Sequence, residues 1–260
     1  MKTEKLFHEL LGLGMNWEVQ ECEFDHIQGV VRIKIAETAH LWEMERSPGE
    51  GAKAKLYDHT EELVWRHLNV FEHSCEIRCR LPRGQCSKSG KVYRVTPPWE
   101  GLSKHFTKAF EAFALLLMRE MPVLAVSRIV KETDTRLWRI LKAHVAAAHP
   151  QTDWSNAICV GCDEMSVSKG HRYITVFCDM IGRKVLFAAK GKDKSVWEAF
   201  ARSLEEHHGH PRQIQEVSMD MSPAYIAGVN ENIGSQAKVV FDKFHVESQG
   251  LPIDRQSHHH

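Results

Sequence analysis

The 260-residue chain has no surplus of charge of either sign, since 34 Lys and Arg residues are matched by 34 Asp and Glu. That excludes a global electrostatic footprint for a polyanion, though not a local basic face whose charge is cancelled elsewhere. No apolar run approaches the roughly 20 residues of a membrane span. The opening MKTEKLFHELLGLGMNW lacks the apolar stretch of a secretory leader. Cysteine is sparse and odd in number: of seven, most sit inside apolar runs (Cys159, Cys162, Cys178) or in one loose cluster (Cys75, Cys79, Cys86). That usage fits a reducing compartment better than a disulfide framework. Internal repeats and low-complexity tracts are also missing. These absences lead to the expectation of a soluble, cytoplasmic protein with no membrane partner. Its 43% hydrophobic content suffices for one sizeable core or two small ones.

Hydrophobic periodicity divides the chain. Residues 17–38 alternate in the strand period on both sides of Gln28-Gly29, with Val19, Cys22 and Phe24 before and Val31, Ile33 and Ile35 after, which predicts a β-hairpin. ERSPGEGAKAK (45–55) reads as an exposed loop, and CEIRCRLPRGQC carries a Pro-Arg-Gly bend between its last two cysteines. VTPPWEGLS (95–103) is a Pro/Gly junction and a first boundary. Beyond it the period becomes helical. SKHFTKAFEAFALLLMRE places Phe106, Phe110, Phe113 and Leu117 on one face and stops at Met121-Pro122. A short helix VLAVSRIV, a tight KETD turn and a second helix TRLWRILKAHVAAAH follow. The second helix is expected to turn Leu137, Ile140, Leu141, Val145 and also Trp138 inward, and Arg136, Arg139 and Lys142 outward. PQTDWSNA (150–157) is a second boundary. After it, three strands able to form a meander precede helix–strand–helix–strand, which implies a mixed α/β sheet. The histidines of EEHHGHPR (205–212) read as a solvated helix terminus.

Three of these strands end at an aspartate: Asp163 after ICVGC, Asp220 after EVSM and Asp242 after KVVF. If the last two run parallel to the first, right-handed crossovers carry all three ends to one edge of the sheet, where open α/β sheets bind ligands. Carboxylates gathered there need a divalent cation between them. Mg²⁺ fits, because it takes oxygen ligands and leaves positions for water and phosphate, and a pair of such ions supports in-line phosphoryl transfer. An Asp after a strand also serves as a helix cap or turn residue. Asp179 reads as a turn residue in that way, and spacing alone leaves both readings open for Asp220.

Longer motifs carry more. GCDEMSVSKGHRYITVFCDM, VSMDMSPAYIAGV and VVFDKFHV resemble the transposases of the bacterial ISL-three insertion-sequence family. So do YDHTEELVWRHLNVFEHSCEIRCRLPRGQC and REMPVLAVSRIVKETDTRLWRILKAHV, in order from about residue 55 to Val246. Periodicity and the resemblance together imply an α/β chain with five parts. These are a β-hairpin region (1–44), a degenerate zinc-finger-like β-rich segment (45–100), a helix-turn-helix (101–149), a partial ribonuclease-H-like mixed sheet (150–246) and a divergent tail (247–260). It implies DNA strand cleavage and transfer at element ends by an Asp-Asp-Glu triad with Mg²⁺ or Mn²⁺. Asp163 is then the first acid, Asp220 the second, and Asp242 a structural or supporting residue. The family's Glu lies downstream of FHV, whereas this chain closes within 14 residues on ESQGLPIDRQSHHH, whose last residues are native or a tag remnant. The expectation is a C-terminally truncated copy of impaired activity. The alternative is a DNA-binding remnant without chemistry.

The resemblance also supplies the partner, double-stranded DNA at the element's terminal repeats, with nucleoid association when bound and a homo-oligomer as a further expectation. In a helix-turn-helix the second helix enters the major groove. That points to Thr133, Thr135, Arg136 and Arg139 for base edges and to Lys131 and Lys142 for phosphates. Spacing alone favours a solvated basic face on an ordinary helical pair, and the resemblance reverses that preference. For zinc, the family's upstream Cys-x-x-Cys pair is missing, leaving Cys75, Cys79 and Cys86 with His59, His67 and His73 nearby. A structural site needs four ligands, so unliganded remnants are the favoured reading.

Overall fold

The computed structural model describes residues 2–168 and 172–241 and divides into two compact units that meet between Ala147 and Ala148. The first opens with α1 (Thr3–Leu11), which ends at Gly12 with a left-handed φ of 62°. The expected hairpin follows as β1 (Trp17–Asp25) and β2 (Val30–Glu37). Its register pairs Val19 with Ile35, Cys22 with Ile33 and Phe24 with Val31. Val19 and Cys22 lie three apart rather than two, and a bulge between Val19 and Glu21 absorbs the extra residue. Asp25 closes the turn by accepting from the Ile27 and Gln28 N–H groups.

After α2 (Ala39–Met44), a long hairpin forms from β3 (Ala54–Val70) and β4 (His73–Cys86), with β5 (Val92–Arg94) beside β4. The strand order is β1-β2-β4-β3, and β2 runs parallel to β4. Residues 1–44 and 45–100 therefore share one sheet and one core, in which Trp17, Ile33, Trp65, Ile77 and Trp99 are buried. The expected Pro-Arg-Gly bend is absent. Pro82 lies within β4 opposite His59, and the irregularity appears instead as register shifts in β3 on either side of that pair.

The helical segment is α3 (Lys108–Glu120), α4 (Val123–Val130) and α5 (Asp134–Ala148). The Thr107 side chain caps α3 by accepting from Phe110 N–H. Lys131, at φ 54°, ends α4. Phe106, Phe110, Ala114, Val126, Val130, Leu137 and Ile140 form the core of these helices. Phe113, expected in that core, is 41% exposed. The inner stripe of α3 runs through Phe110 and Ala114, one helical turn apart, and Phe113 falls beside it.

The second unit matches the expected element order: β6 (Cys159–Ser168), β7 (Arg172–Asp179), β8 (Lys184–Lys190), α6 (Ser195–Glu206), β9 (Glu216–Met219), α7 (Pro223–Asn232) and β10 (Lys238–Phe241). The sheet order is β10-β9-β6-β7-β8. β6, β7 and β8 form an antiparallel meander, while β9 and β10 add parallel strands on the other side of β6. Alternate strand residues Val160, Cys162, Phe177, Leu186, Val217 and Met219 join α6 and α7 in one core. The other face carries exposed Met165, Val185 and Val240. Asp179 is the turn residue expected, accepting from Ile181 and Gly182 N–H. The solvated reading of the histidines holds for His208 and His210, which are exposed, and needs correction at His207. His207 is 5% exposed, stacks on Trp154 at 3.9 Å and places Nδ1 2.7 Å from Ser203 O. The chain turns back after α6, and that tucks the ring under the helix end.

Candidate functional site

The acidic edge follows from the ladder between β6 and β9. Cys159 pairs with Glu216, Val160 with Val217 and Gly161 with Ser218. The pairing ends there; counted two residues further, Asp163, in the middle of β6, falls opposite Asp220, which follows the last residue of β9. Side-chain alternation turns Asp163 away from Val160 and Cys162 in the core, and it is exposed. Its Oδ1 accepts from Glu164 N–H at 2.8 Å. Asp220 occupies the turn between β9 and α7, where its Oδ1 accepts from Met221 N–H at 2.6 Å and its carbonyl from Ser222 N–H at 2.8 Å. Ser222, not Asp220, holds the N-cap position of α7. Asp242 lies outside the described residues. Among the described residues no group of three or more His, Cys, Asp or Glu converges as metal ligands.

Packing behind this edge fixes where α7 starts. Thr175 Oγ1 donates to Gly191 O at 2.8 Å, which leaves the Tyr225 hydroxyl as donor in their 2.7 Å contact. Burial pushes the Tyr225 phenol well above its ordinary pKa. At Gly228 the helix backbone lies directly on Trp197, where an added Cβ would be 2.4 Å from Cδ1.

The cysteines of the first unit are not gathered. Cys75, Cys79 and Cys86 all lie on β4, so the strand rise sets the first two about 13 Å apart and the third about 23 Å beyond. Burial pushes the Cys75 and Cys79 thiols up to about 12, which favours the protonated form over the thiolate that binds zinc. Cys86 Sγ donates to Glu50 at 3.2 Å. The nearby histidines have other partners: His59 Nε2 is 2.7 Å from Glu37, and His67 Nδ1 is 2.9 Å from Thr107 Oγ1.

The helical face differs from expectation at Lys131 and Arg136, and at Trp138 and Val145, both expected inward. Thr135, Arg139 and Lys142 are exposed along one side of α5, and Thr133 is exposed just before it. Arg136 is tethered, with its side chain 38% exposed: its guanidinium donates to Glu132 at 2.8 Å and lies 4.5 Å over the Phe106 ring. Lys131 Nζ donates to Glu72 O at 2.7 Å. Trp138, expected in the core, is 47% exposed, and Val145 is exposed beside it. Leu137 and Ile140 are the buried residues of α5, and His144 faces the same way to meet Glu111 at 2.8 Å. At 100° per residue that stripe leaves Trp138 on the opposite side with Thr135, Arg139 and Lys142. The helical phase expected to let Trp138 pack inward is thus reversed by the rotation of α5, which points Leu137 and Ile140 to the core.

A buried polar anchor went unrecognised. Arg66 on β3 donates to Val130 O at 2.9 Å, to Cys75 O at 3.3 Å and to Asn69 and His67 O, with its guanidinium 5.1 Å over Phe110. It ties the C-terminus of α4 to the sheet. One Arg in a polar strand segment carries no local signal of this role.

Residues 103–145 match the family model described as the helix-turn-helix domain of transposase family ISL3, and residues 160–250 match a family model described as Transposase. Asp163 and Asp220 both fall within the second match. Among curated proteins, the chain is similar to the transposase for insertion sequence element IS1001 of Bordetella parapertussis. The two are 28% identical over 239 residues, covering 92% of this chain and 57% of that protein. It is also similar to the transposase for insertion sequence element IS1557 of Mycobacterium tuberculosis (strain CDC 1551 / Oshkosh), 27% identical over 271 aligned positions, 98% of this chain and 58% of that protein. The chain thus spans somewhat more than half the length of the curated relatives it matches.

Proposed function

The chain belongs to the ISL3 family of transposases, and we propose that it carries the DNA-binding helices and two catalytic acids of a metal-dependent enzyme that cuts and rejoins DNA at the ends of an insertion sequence. One observation carries this reading: the parallel register of β6 with β9, continued two residues past its last pair, brings Asp163 within β6 opposite Asp220 at the carboxyl end of β9, the end at which open α/β sheets bind ligands. The pair offers only oxygen donors, which suits Mg²⁺ or Mn²⁺ and not a thiolate-seeking ion. When bound, such an ion activates a water or hydroxyl nucleophile and stabilises the leaving oxygen of the phosphodiester.

The chain's own residues perform the remaining tasks. Asp163, on a strand interior to the sheet, presents its carboxylate from a rigid backbone. Asp220, at the strand end, has its backbone fixed by the turn into α7. The antiparallel meander extended by two parallel strands supports a ribonuclease-H-like assignment for the second unit. On α5, Thr135 and Arg139 lie where a groove-docked helix meets base edges, and Lys142 lies one turn later for a phosphate.

Calorimetric titration of Mn²⁺ into the chain and into its Asp220→Asn variant tests the reading. We expect the wild type to bind and the variant to bind at least about tenfold more weakly, since it loses a charged oxygen ligand. Equal binding by both removes Asp220 from the site. Duplex binding with no metal binding by the wild type favours a DNA-binding protein without chemistry.

A further inference from the structure

We propose that Trp138 reads thymine: its indole, set on the exposed face of α5, contacts the C5-methyl group of a thymine in the major groove. This inference rests on the DNA-binding reading of α5 and names the base that the face selects. Trp138 shares that face with Thr135, Arg139 and Lys142, at offsets of three, one and four residues, and it is 47% exposed among them. Among the described residues Arg139 and Lys142 take part in no ion pair, whereas Arg136 is held by Glu132 and Phe106. With Arg136 so held, the large apolar side chain grouped with Thr135, Arg139 and Lys142 is the indole.

Its chemistry narrows the choice of base. An indole offers an apolar body and one N–H donor, with no acceptor. In the major groove, thymine presents a methyl group beside the O4 acceptor, which complements both parts. Cytosine presents a donor and adenine a donor beside its acceptor. Guanine presents two acceptors and no methyl, a pattern suited to the fork of Arg139. The groove, about 12 Å wide, admits an α-helix with its side chains.

The test is selection from a pool of random duplexes by the full chain, in parallel with Trp138→Ala and Trp138→Phe. The wild type is expected to enrich a motif with at least one required thymine, and the Ala variant to lose the preference at that position alone. Replacing that thymine by uracil, which lacks only the methyl, should weaken wild-type binding by about 5- to 100-fold, the usual cost of one lost base contact. The Phe variant should retain most of that sensitivity and the Ala variant none. An Ala variant that recovers the same motif with the same thymine overturns the proposal, as does equal sensitivity to uracil in all three proteins. A wild type that binds no duplex overturns the DNA-binding reading itself.

Discussion

In the first unit, the helices that present Trp138 and Arg139 are held by buried polar groups. Arg66 reaches four acceptors, and Glu111 accepts from Leu102 and Ser103 N–H while meeting His144. In the second unit, the strands that present Asp163 and Asp220 rest on aromatic packing. Phe177 stacks on Phe200 at 4.3 Å, Trp197 meets Phe177 edge-on at 4.9 Å, and Tyr225 is buried in the first turn of α7. The difference follows from what each unit must join. Three short helices bury few apolar residues among themselves and leave helix-end carbonyls to satisfy, so Arg66 of the neighbouring strand and Glu111 of α3 supply the links. A mixed sheet with two helices on one face buries a continuous apolar layer, and shape decides how well it closes. The first unit should therefore fail through lost hydrogen bonds and added charge, and the second through steric misfit.

The largest test of that contrast is Arg66→Ala, which strands the Val130 and Cys75 carbonyls and opens a cavity. We expect a loss of roughly 3–5 kcal/mol, read by chemical denaturation, with the transition of the second unit unmoved. A loss below about 1 kcal/mol would mean that the helices are held by their apolar core alone. His67 gives the next largest effect. Burial, with Arg66 beside it, lowers its pKa from 6.5 to about 4. Between those values the unfolded chain binds a proton that the folded chain does not. The stabilisation is complete above pH 6.5 and is lost as pH falls toward 4, by on the order of 3 kcal/mol. Thermal unfolding between pH 7.5 and 4.5 should show this slope for the first unit and a shallower one after His67→Asn.

On the other side of the comparison, Gly228→Ala adds a methyl that would sit 2.4 Å from Trp197 Cδ1. Overpacking of this kind costs about 1–3 kcal/mol, and it should weaken Mn²⁺ binding by shifting the start of α7 beside Asp220. Unchanged stability would show that α6 and α7 part freely. The smallest expected effect is Tyr225→Phe. The Thr175 hydroxyl keeps its bond to Gly191 O, so only the tyrosine's donor bond is lost, about 1 kcal/mol. A cost several times larger would make the second unit as dependent on polar links as the first.

Much of this was legible in the residues. The hairpin partners Val19, Cys22, Phe24, Val31, Ile33 and Ile35 pair as their alternation predicts. The breaks at Pro122 and Lys131 separate three helices where the period changes. The strand–helix order of the second unit follows from alternation and helix-start signals. Less legible were residues whose partners come from elsewhere in the chain. Pro82 looked like a bend because its missing N–H is a local fact, while the register shifts in β3 opposite it are not. His207 looked solvated because nothing near it in sequence announces Trp154.

The sequence by itself determined the elements and their order, and the family to which the chain belongs. These depend on side-chain period, on turn chemistry and on long motifs, all read along one strand of text. The tertiary structure decided the rest. It joined the hairpin to the long β3–β4 pair in one sheet, strung the three cysteines along a strand, turned Trp138 outward, tied Arg136 to Glu132, and set β6 parallel to β9 in the register that carries Asp163 and Asp220. Each of these outcomes is set by strand register or by helix rotation against a distant neighbour. A one-residue slip in register or a 100° turn of a helix would reverse them with little change in the local pattern.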